Sequence, residues 1–433
     1  MEPTLEDRAA FFASEPWTAG VIGLGYVGLP LAVTAAERGL RVIGFDVSES
    51  LVKRLREGDS PVGDVSNERL TAALEAGLTV TGDEADLMAA DALFICVPSP
   101  LNRHRQPDMS FIEAAGATVS RVTHPGVLVS LESTTYPGTT EELLVPAATA
   151  GGLVLDEDVF VAFSAERVSP GSGHELGSIP KVVGGVSPVS GRVAAAAYRR
   201  LVDAVYEVSS ARAAEMAKLL ENTYRAVNIG LVNEMAALAH EIDVDIWEVI
   251  DAAATKPFGF QPFYPGPGVG GHCIPLDPQY LAWRAKEAGF ATRFIDLTEE
   301  VNSRVPEYVV TRISEILNDR GLPVLGTKVL AVGLAYKPGV GDARESPAID
   351  VIEELTRRGA QVVAWDPLVG DDEIDGRGID RVHALPDGHA LAVILTDHDD
   401  FDYPAIAAAV GVVFDTRGAY RRRGITASNV ISL

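Results

Sequence analysis

The feature that most limits what this chain can fold into is AGVIGLGYVGLPLAVTAAERGLRVIGFDV, close to its start. A short apolar run through Val21 and Ile22 enters Gly23-Leu24-Gly25-Tyr26-Val27-Gly28. Apolar residues then recur at helical spacing from Leu29 until Gly39, and a second apolar run, Arg41 to Phe45, ends in Asp46. The spacing predicts strand, tight turn, helix, strand. Each glycine has its own reason. The first makes the turn, the second lets a pyrophosphate approach the backbone, and the third lets the helix pack on the strand. The anion would rest on N–H groups at the helix N-terminus. Asp46 stands about 20 residues on, where a carboxylate accepts the ribose hydroxyls of NAD and repels the extra phosphate of NADP. A lone G-x-G-x-x-G is weak evidence; with strand, helix, strand and terminal acid in order, it predicts NAD binding.

The α/β pattern continues. DALFICVPSP at 91–100 and GVLVSLESTTYPGT at 126–139 read as buried strands ending in polar loops, and Cys96 inside the first reads as core packing. Residues 327–366 repeat strand, loop, helix, strand without the glycine fingerprint. That loop carries Lys337, Asp342 and Arg344 among Gly339 and Gly341. Two cations there suit an anionic nucleotide that is not a dinucleotide, and an exposed charged loop fits equally well on chemistry alone. LAVILTD and GVVFDTRG complete a second small sheet. Between the two halves, SSARAAEMAKLLENTYRAVNIGLVNEMAALAHEIDVDIWEVIDAA has helical periodicity over many turns, with Ser209 or Ser210 as cap. Such a spine buries one face against a partner, which predicts a homodimer. The expected class is therefore α/β: two Rossmann-like doubly wound domains joined by a long central helix. The expected boundaries are 1–208 (NAD-binding), 209–310 (central helical, dimer-forming) and 311–433 (a second Rossmann-like domain, to which the family resemblance named below assigns nucleotide-sugar binding).

The chain has 433 residues and a formal net charge of −25, which disfavours nucleic-acid binding; its one dense basic run, Arg421 to Arg423, is short. No apolar run is long enough to span a bilayer, which takes about 20 residues. The acidic opening MEPTLEDRAAFFASEPW lacks the pattern of a signal peptide and reads as a short solvated or partner-contacting arm. Two distant cysteines argue against a disulfide framework and for a reducing, cytoplasmic setting, and metal-ligand spacing is missing, so no metal is expected.

One of those cysteines, Cys273, sits in GPGVGGHCIPLDP. A thiol in a glycine-lined loop is a candidate nucleophile; buried inert cysteine is the common alternative. Lys218 and Asn222, four apart on one helix face, would by default be solvated surface.

Taken together, the chain resembles the UDP-glucose/GDP-mannose dehydrogenase family from about residue 18 to 425. The motifs are GLGYVGLPLA, CVPSPLN, STTYPGTT, SAERVSPG, EMAKLLENTYRAVNIGLVNE, KPFGFQPFYPGPGVGGHCIPLDPQYL and GLAYKPGVGDARESPA. The cysteine loop is similar to the branch that oxidises UDP-N-acetylglucosamine and related amino sugars. The resemblance implies an NAD-dependent, four-electron oxidation of a sugar carbon 6 alcohol to a carboxylate, in uronic acid and polysaccharide biosynthesis. A thiolate suits this, because an aldehyde held as a thiohemiacetal need never leave and can become a thioester.

The same resemblance implies roles. Cys273 is the nucleophile. Asp277 and Lys218 work on the carbon 6 hydroxyl, with Asn222 beside them. Glu166 activates water for thioester hydrolysis, and Thr134 orients water or nicotinamide. His272 is poorly placed to activate its neighbour's thiol, since adjacent side chains diverge in extended backbone. The cofactor set is Gly23, Gly25, Tyr26, Val27, Gly28, Asp46, Val97, Pro98, Thr134 and Arg344. The substrate set is Glu166, Arg167, Val168, Lys218, Asn222, Phe263, Tyr264, Gly268, Tyr336, Lys337 and Arg417, with Lys337 on the pyrophosphate. Two positions depart from the family pattern. Pro170 stands where UDP-glucose enzymes often have a second glutamate, which favours the amino-sugar branch. Leu51 replaces a basic residue and removes an adenosine contact. UDP-glucose or dTDP-glucose is the alternative substrate, and a catalytically silent binder of NAD and nucleotide sugar is the alternative of another class.

Overall fold

The computed structural model describes residues 5–102, 104–167, 176–271, 273–371 and 373–433. The chain forms two compact units, residues 1–221 with 279–290, and residues 222–278 with 291–433.

In the first unit, β1 (Thr18–Ile22), β2 (Arg41–Phe45), β3 (Leu78–Thr81), β4 (Ala92–Ile95), β5 (Val127–Leu131), β6 (Val159–Phe163), β7 (Lys181–Gly185) and β8 (Val205–Val208) form one sheet. Its order is β3-β2-β1-β4-β5-β6-β7-β8. All neighbours are parallel except β6 and β7. The order reverses between β1 and β4, and a crevice opens at such a switch point beyond the carboxyl ends of the strands. The register pairs Ile22 with Phe45, so Gly23 and Asp46 leave the sheet side by side. The central strands β4, β5 and β6 are buried on both faces, as helix-covered parallel strands must be, and each face has its own apolar cluster.

The second unit repeats the plan. β9 (Lys328–Val332), β10 (Gln361–Trp365), β11 (Arg381–Val382), β12 (His389–Ile394), β13 (Val410–Asp415) and β14 (Val430–Ser432) are parallel in the order β11-β10-β9-β12-β13-β14. Both doubly wound sheets agree with the sequence reading.

Two local readings are revised. The N-terminal arm is a helix, Leu5–Ser14, rather than a solvated leader. Phe12 is fully buried with its ring edge-on to Trp17, and the Arg8 guanidinium lies over both Phe11 and Phe12. Aromatic burial of this size outweighs the acidic character of the arm. The central spine is two helices, not one. Ala211–Glu241 is capped by Ser210, whose hydroxyl accepts from the Ala213 N–H at 3.2 Å. Asp243 then takes φ +57°, and Asp245 caps Ile246–Ala254 by accepting from Trp247 and Glu248 N–H. A short acidic side chain tolerates the left-handed turn, and a second one starts the next helix. Among the described residues no helix is long and apolar enough to cross a membrane.

Asp366 holds the second sheet's turn together. Its carboxylate accepts N–H groups of Leu334 at 2.7 Å, Ala335 at 3.1 Å and Leu368 at 2.9 Å, and meets His398 Nε2 at 3.1 Å. Burial pushes its pKa up, but the His398 bond and the backbone donors win and hold it at about 2. The folded-state pKa thus lies below the ordinary carboxylate value. The stabilisation, about 2 kcal/mol, is complete above about pH 4 and lost as pH falls through about 2. Asp366→Asn should therefore lower stability in urea at pH 7 by at least that amount, with the difference from the parent roughly halved at pH 3; a difference independent of pH would contradict this.

Candidate active site

The first half of the site is the glycine turn after β1. Gly23 has φ +91°, and a Cβ there would lie 2.9 Å from the Cys96 carbonyl. A Cβ on Gly28 would fall 1.8 Å from the Gly23 carbonyl, so only glycine lets the helix Gly28–Glu37 start so close to the strand. A Cβ on Gly25 would meet nothing within 4 Å: the backbone there faces open space. No side chain caps this helix N-terminus, and Val27 occupies the cap position. Asp46 accepts Leu24 N–H at 2.9 Å and Ser48 N–H at 2.9 Å, one on each oxygen. Each oxygen keeps a second lone-pair direction for a ribose hydroxyl. Tyr26 and Pro98 are exposed, and Val97 and Thr134 are half-buried. The Val97 carbonyl accepts from Ser133 Oγ at 2.6 Å, which fixes the strand-end backbone. Open backbone at an uncapped helix start, with an acid at the next strand's end, fits a dinucleotide.

Also in the first unit, Lys218 on the long helix donates to the Glu166 carbonyl at 2.6 Å. The Glu166 carboxylate accepts Arg167 N–H at 2.6 Å, and Arg167 pairs with Glu221 at 2.6 Å. Glu166 and Lys218 are thus brought together, 52 residues apart in sequence. Val168, Pro170 and His272 lie outside the described residues.

In the second unit, Asn222 is buried and its amide donates to the Asp277 carboxylate, also buried. Asp277 opens the helix Asp277–Glu287, and its N–H donates to the Cys273 carbonyl at 2.9 Å. The nucleophile candidate thus leads directly into the turn that carries the acid. Cys273 is exposed; Cys96 is buried, and burial, with Glu132 nearby, pushes its thiol well above its ordinary pKa. Only the thiolate is reactive, so Cys96 is inert and Cys273 is the chemically available sulfur.

The glycines before Cys273 have a reason that the sequence did not disclose. A Cβ on Gly266 would lie 2.4 Å from Arg417 Nη1. On Gly268, at φ +145°, it would strike Pro347 at 2.7 Å; on Gly270, the Glu345 carbonyl at 2.6 Å; on Gly271, at φ +83°, the Tyr336 ring at 2.8 Å. The loop lies flush against Tyr336 and Arg417, two of the expected substrate residues. Gly266 N–H donates to Asn233 Oδ1 at 3.1 Å, anchoring the loop to the long helix. Phe263 packs edge-on to Tyr224, and Tyr264 stacks on Trp247 with its hydroxyl donating to Asp251 at 2.9 Å. Arg417 donates to the buried Asp397 at 2.9 Å, and Asp397 also pairs with Arg422. Lys337 Nζ lies 5.5 Å from the centre of the Tyr336 ring. His398 Nδ1 accepts Gly339 N–H at 3.0 Å and holds the loop that follows Lys337. Arg344 is gripped by both oxygens of Asp342, at 2.9 and 2.6 Å.

Asn233, Asp397, His398, Glu132 and Lys181 were missed from sequence. The signal for Asp397 and His398 was present: LAVILTDHDD puts both just past a strand end, where ligands gather.

Asp46 should act on both the turn and the cofactor. Asp46→Ala is expected to weaken NAD binding by about tenfold or more, about 1.4 kcal/mol, and to narrow the preference over NADP. Titrations with both cofactors check this, and unchanged NAD affinity would remove Asp46 from the cofactor set.

Known proteins resemble the chain along most of its length. Models of the UDP-glucose/GDP-mannose dehydrogenase family match at residues 18–202 (NAD binding domain), 212–304 (central domain) and 330–422 (UDP binding domain). A UDP-N-acetyl-D-glucosamine 6-dehydrogenase of Pseudomonas aeruginosa is 37% identical, over 88% of this chain and 90% of its own. A UDP-N-acetyl-D-mannosamine dehydrogenase of Pyrococcus horikoshii is also 37% identical, over 88% and 89%. A solved structure of the UDP-D-ManNAc dehydrogenase from Pyrococcus horikoshii superposes with a TM-score of 0.86 at 33% identity, covering 96% of this chain and 98% of that one.

Proposed function

We propose a substrate and a set of residue roles for this chain, which belongs to the UDP-glucose/GDP-mannose dehydrogenase family and is an NAD-dependent oxidoreductase acting on a nucleotide sugar. The reaction is the four-electron oxidation of carbon 6 of a UDP-N-acetylhexosamine to the uronate, with UDP-N-acetylglucosamine as first choice. The observation that carries the reading is the cysteine loop packed against Tyr336 and Arg417, the side chains this reading assigns to the nucleotide. UDP-N-acetylmannosamine is the second reading, favoured by the relatives that carry that name.

NAD, held by Gly23, Gly25, Gly28 and Asp46, supplies the hydride acceptor for both oxidations. The protein's own groups do the rest. Asp277, oriented by the Asn222 amide, receives the carbon 6 hydroxyl proton through water. The Lys218 ammonium balances negative charge that develops on that oxygen. Cys273 sulfur bonds to the aldehyde carbon and keeps it attached as a thiohemiacetal and then a thioester. Glu166 takes a proton from the water that cleaves the thioester. Lys337 and Arg417 balance the diphosphate and position the nucleotide.

The reading includes a homodimer through the long helix. Met216, Leu220, Tyr224, Leu231, Leu238 and Ile242 recur along Ala211–Glu241 and its end, and all are exposed. A periodic apolar stripe of this length supports a second copy as its cover. A free thiol nucleophile also needs a reducing compartment, in keeping with a cytoplasmic enzyme.

With excess NAD and limiting sugar, about two NADH should appear per UDP-N-acetylhexosamine consumed. UDP-N-acetylglucosamine, UDP-N-acetylmannosamine, UDP-glucose and dTDP-glucose run side by side assign the sugar. Cys273→Ser should abolish turnover and leave binding of both ligands intact. One NADH per sugar would end the thioester route, and an unaltered Cys273→Ser protein would favour a silent binder.

A further inference from the structure

A cluster of buried charge lies where the first sheet reverses direction. β7 runs against β6, with Ala162 opposite Gly185 and Phe163 opposite Gly184. Continuing that register past the last pair brings Lys181, the first residue of β7, level with Glu166. Lys181 is 2% exposed, Glu132 1% and Tyr198 0%. Lys181 Nζ donates to Glu132 Oε2 and lies 3.3 Å from Glu166 Oε2. The Tyr198 hydroxyl donates to Glu132 Oε1 and sits 2.7 Å from Ser130 Oγ. Both oxygens of Glu132 are therefore committed, and one ammonium is shared by two carboxylates.

Burial works to strip the proton from Lys181, but Glu132 and Glu166 outweigh it, and its pKa ends above the ordinary lysine value. Burial pushes Glu132 up, Lys181 pulls it only part of the way back, and its pKa ends above the ordinary glutamate value. Among the described residues, the Cys96 thiol, which burial keeps neutral, and Tyr198, whose phenol burial likewise keeps protonated, also face the cluster. On the other side Glu166 Oε1 takes Arg167 N–H at 2.6 Å, and Lys218 takes the Glu166 carbonyl. Glu166 is thus fixed from the chain side by the backbone and from inside the fold by Lys181. A lysine this deeply enclosed cannot swing out to a sugar, and beyond Glu132 its charge is directed at the Glu166 carboxylate.

We propose that Lys181, braced by Glu132 and Tyr198, is the positioning residue of the hydrolytic half-reaction, holding the Glu166 carboxylate ionised and aimed at the attacking water. This rests on the reading of Glu166 as the base. In that step the water oxygen bonds to the acyl carbon as Glu166 removes its proton. The C–S bond breaks, its electron pair goes to the Cys273 sulfur, and the proton passes to the thiolate. The acid formed releases its other proton to solvent, and nothing is oxidised or reduced.

The test uses the full chain with NAD and whichever sugar supports NADH release. Lys181→Met should give a burst of two NADH per active site and then steady turnover slowed by at least about tenfold. An acyl adduct on the protein should be visible by intact mass. The acid limb of kcat should move to higher pH, because the cation 3.3 Å from the Glu166 carboxylate is gone, while KM and NAD affinity stay near the parent values. Lys181→Arg should restore much of the rate. A Lys181→Met enzyme with no adduct and an unmoved acid limb would overturn the inference, as would a loss confined to KM. If Lys181→Met fails to fold, Tyr198→Phe, which keeps the ring and removes the hydroxyl that braces Glu132 and meets Ser130, should slow the same step with the same adduct, and parent-like kinetics there would overturn the inference. Glu166→Gln separates the two claims. No adduct in that variant sinks the assignment of Glu166 itself, whereas an adduct there without one in Lys181→Met sinks only the role of Lys181.

Discussion

A carboxylate at the end of the second strand, accepting an N–H from the turn after the first, is the interaction on which both halves of the molecule depend. Asp46 takes Leu24 N–H, and Asp366 takes Leu334 and Ala335 N–H. In each case a glycine with positive φ, Gly23 or Gly333, precedes the donor, and a Cβ there would strike the backbone of the fourth strand, at Cys96 or Thr396. The turn donors of a parallel strand have no ladder partner, and a short acid one strand over satisfies them without filling the crevice. The two copies then diverge. Asp46 is half-buried and retains capacity for a ribose, with Gly25 and Gly28 leaving backbone open for phosphate. Asp366 is 1% exposed and spends its remaining capacity on His398 and Leu368. The same mechanical part serves a ligand directly in one unit and braces a loop in the other.

That difference explains what could be read from sequence. The first turn was legible because its ligand chemistry requires three glycines and an acid at fixed spacing. The strands were legible because buried parallel strands are largely apolar: Arg41–Phe45 has the bounds expected from its apolar pattern. The second turn left a nucleotide site and an exposed charged loop equally open, because its order comes from His398 and Asp366, which are 59 and 27 residues beyond Gly339. The break at Asp243 was hidden by helical periodicity on both sides, and the N-terminal helix by its acids, although Phe12 and Trp17 were the cue. The Lys181 cluster was the least legible part. Glu132, Lys181 and Tyr198 belong to three separate segments, and only the antiparallel register of β6 and β7 sets Lys181 against Glu166.

The loop before Cys273 shows how glycine content can be misread. Glycine-rich loops are usually taken as mobile, since glycine loses the most conformational entropy on ordering. Here Gly266, Gly268, Gly270 and Gly271 each stand where a Cβ would collide with Arg417, Pro347, Glu345 or Tyr336. Their freedom is used once, to let backbone lie against side chains, and the result is a close-packed segment. Asn233 ties its start to the long helix, and Asp277 closes its end onto the Cys273 carbonyl. A nucleophile that must meet an alcohol, an aldehyde and a thioester at one carbon gains from such fixity, because small displacements of reacting atoms cost large factors in rate.

The two carboxylates assigned to proton transfer are held in the same spirit by different means. Asp277 faces a neutral amide, Asn222, which orients it without adding charge. Glu166 faces a cation, Lys181, which is largely neutralised from behind by Glu132. A bare buried ammonium would depress Glu166 so far that it became a poor base, and no cation at all would leave a half-buried carboxylate inclined to protonate. The Glu132–Lys181 pair is the compromise: nearly neutral at a distance, and positive at the one oxygen it touches. Tyr198 and Ser130 complete the shell, so both oxygens of Glu132 accept a hydrogen bond inside the fold. Burying an ion pair seldom adds stability over apolar packing. Its presence at the ends of buried strands, just past β5 and at the start of β7, is therefore best accounted for by what it does to the carboxylate beside it.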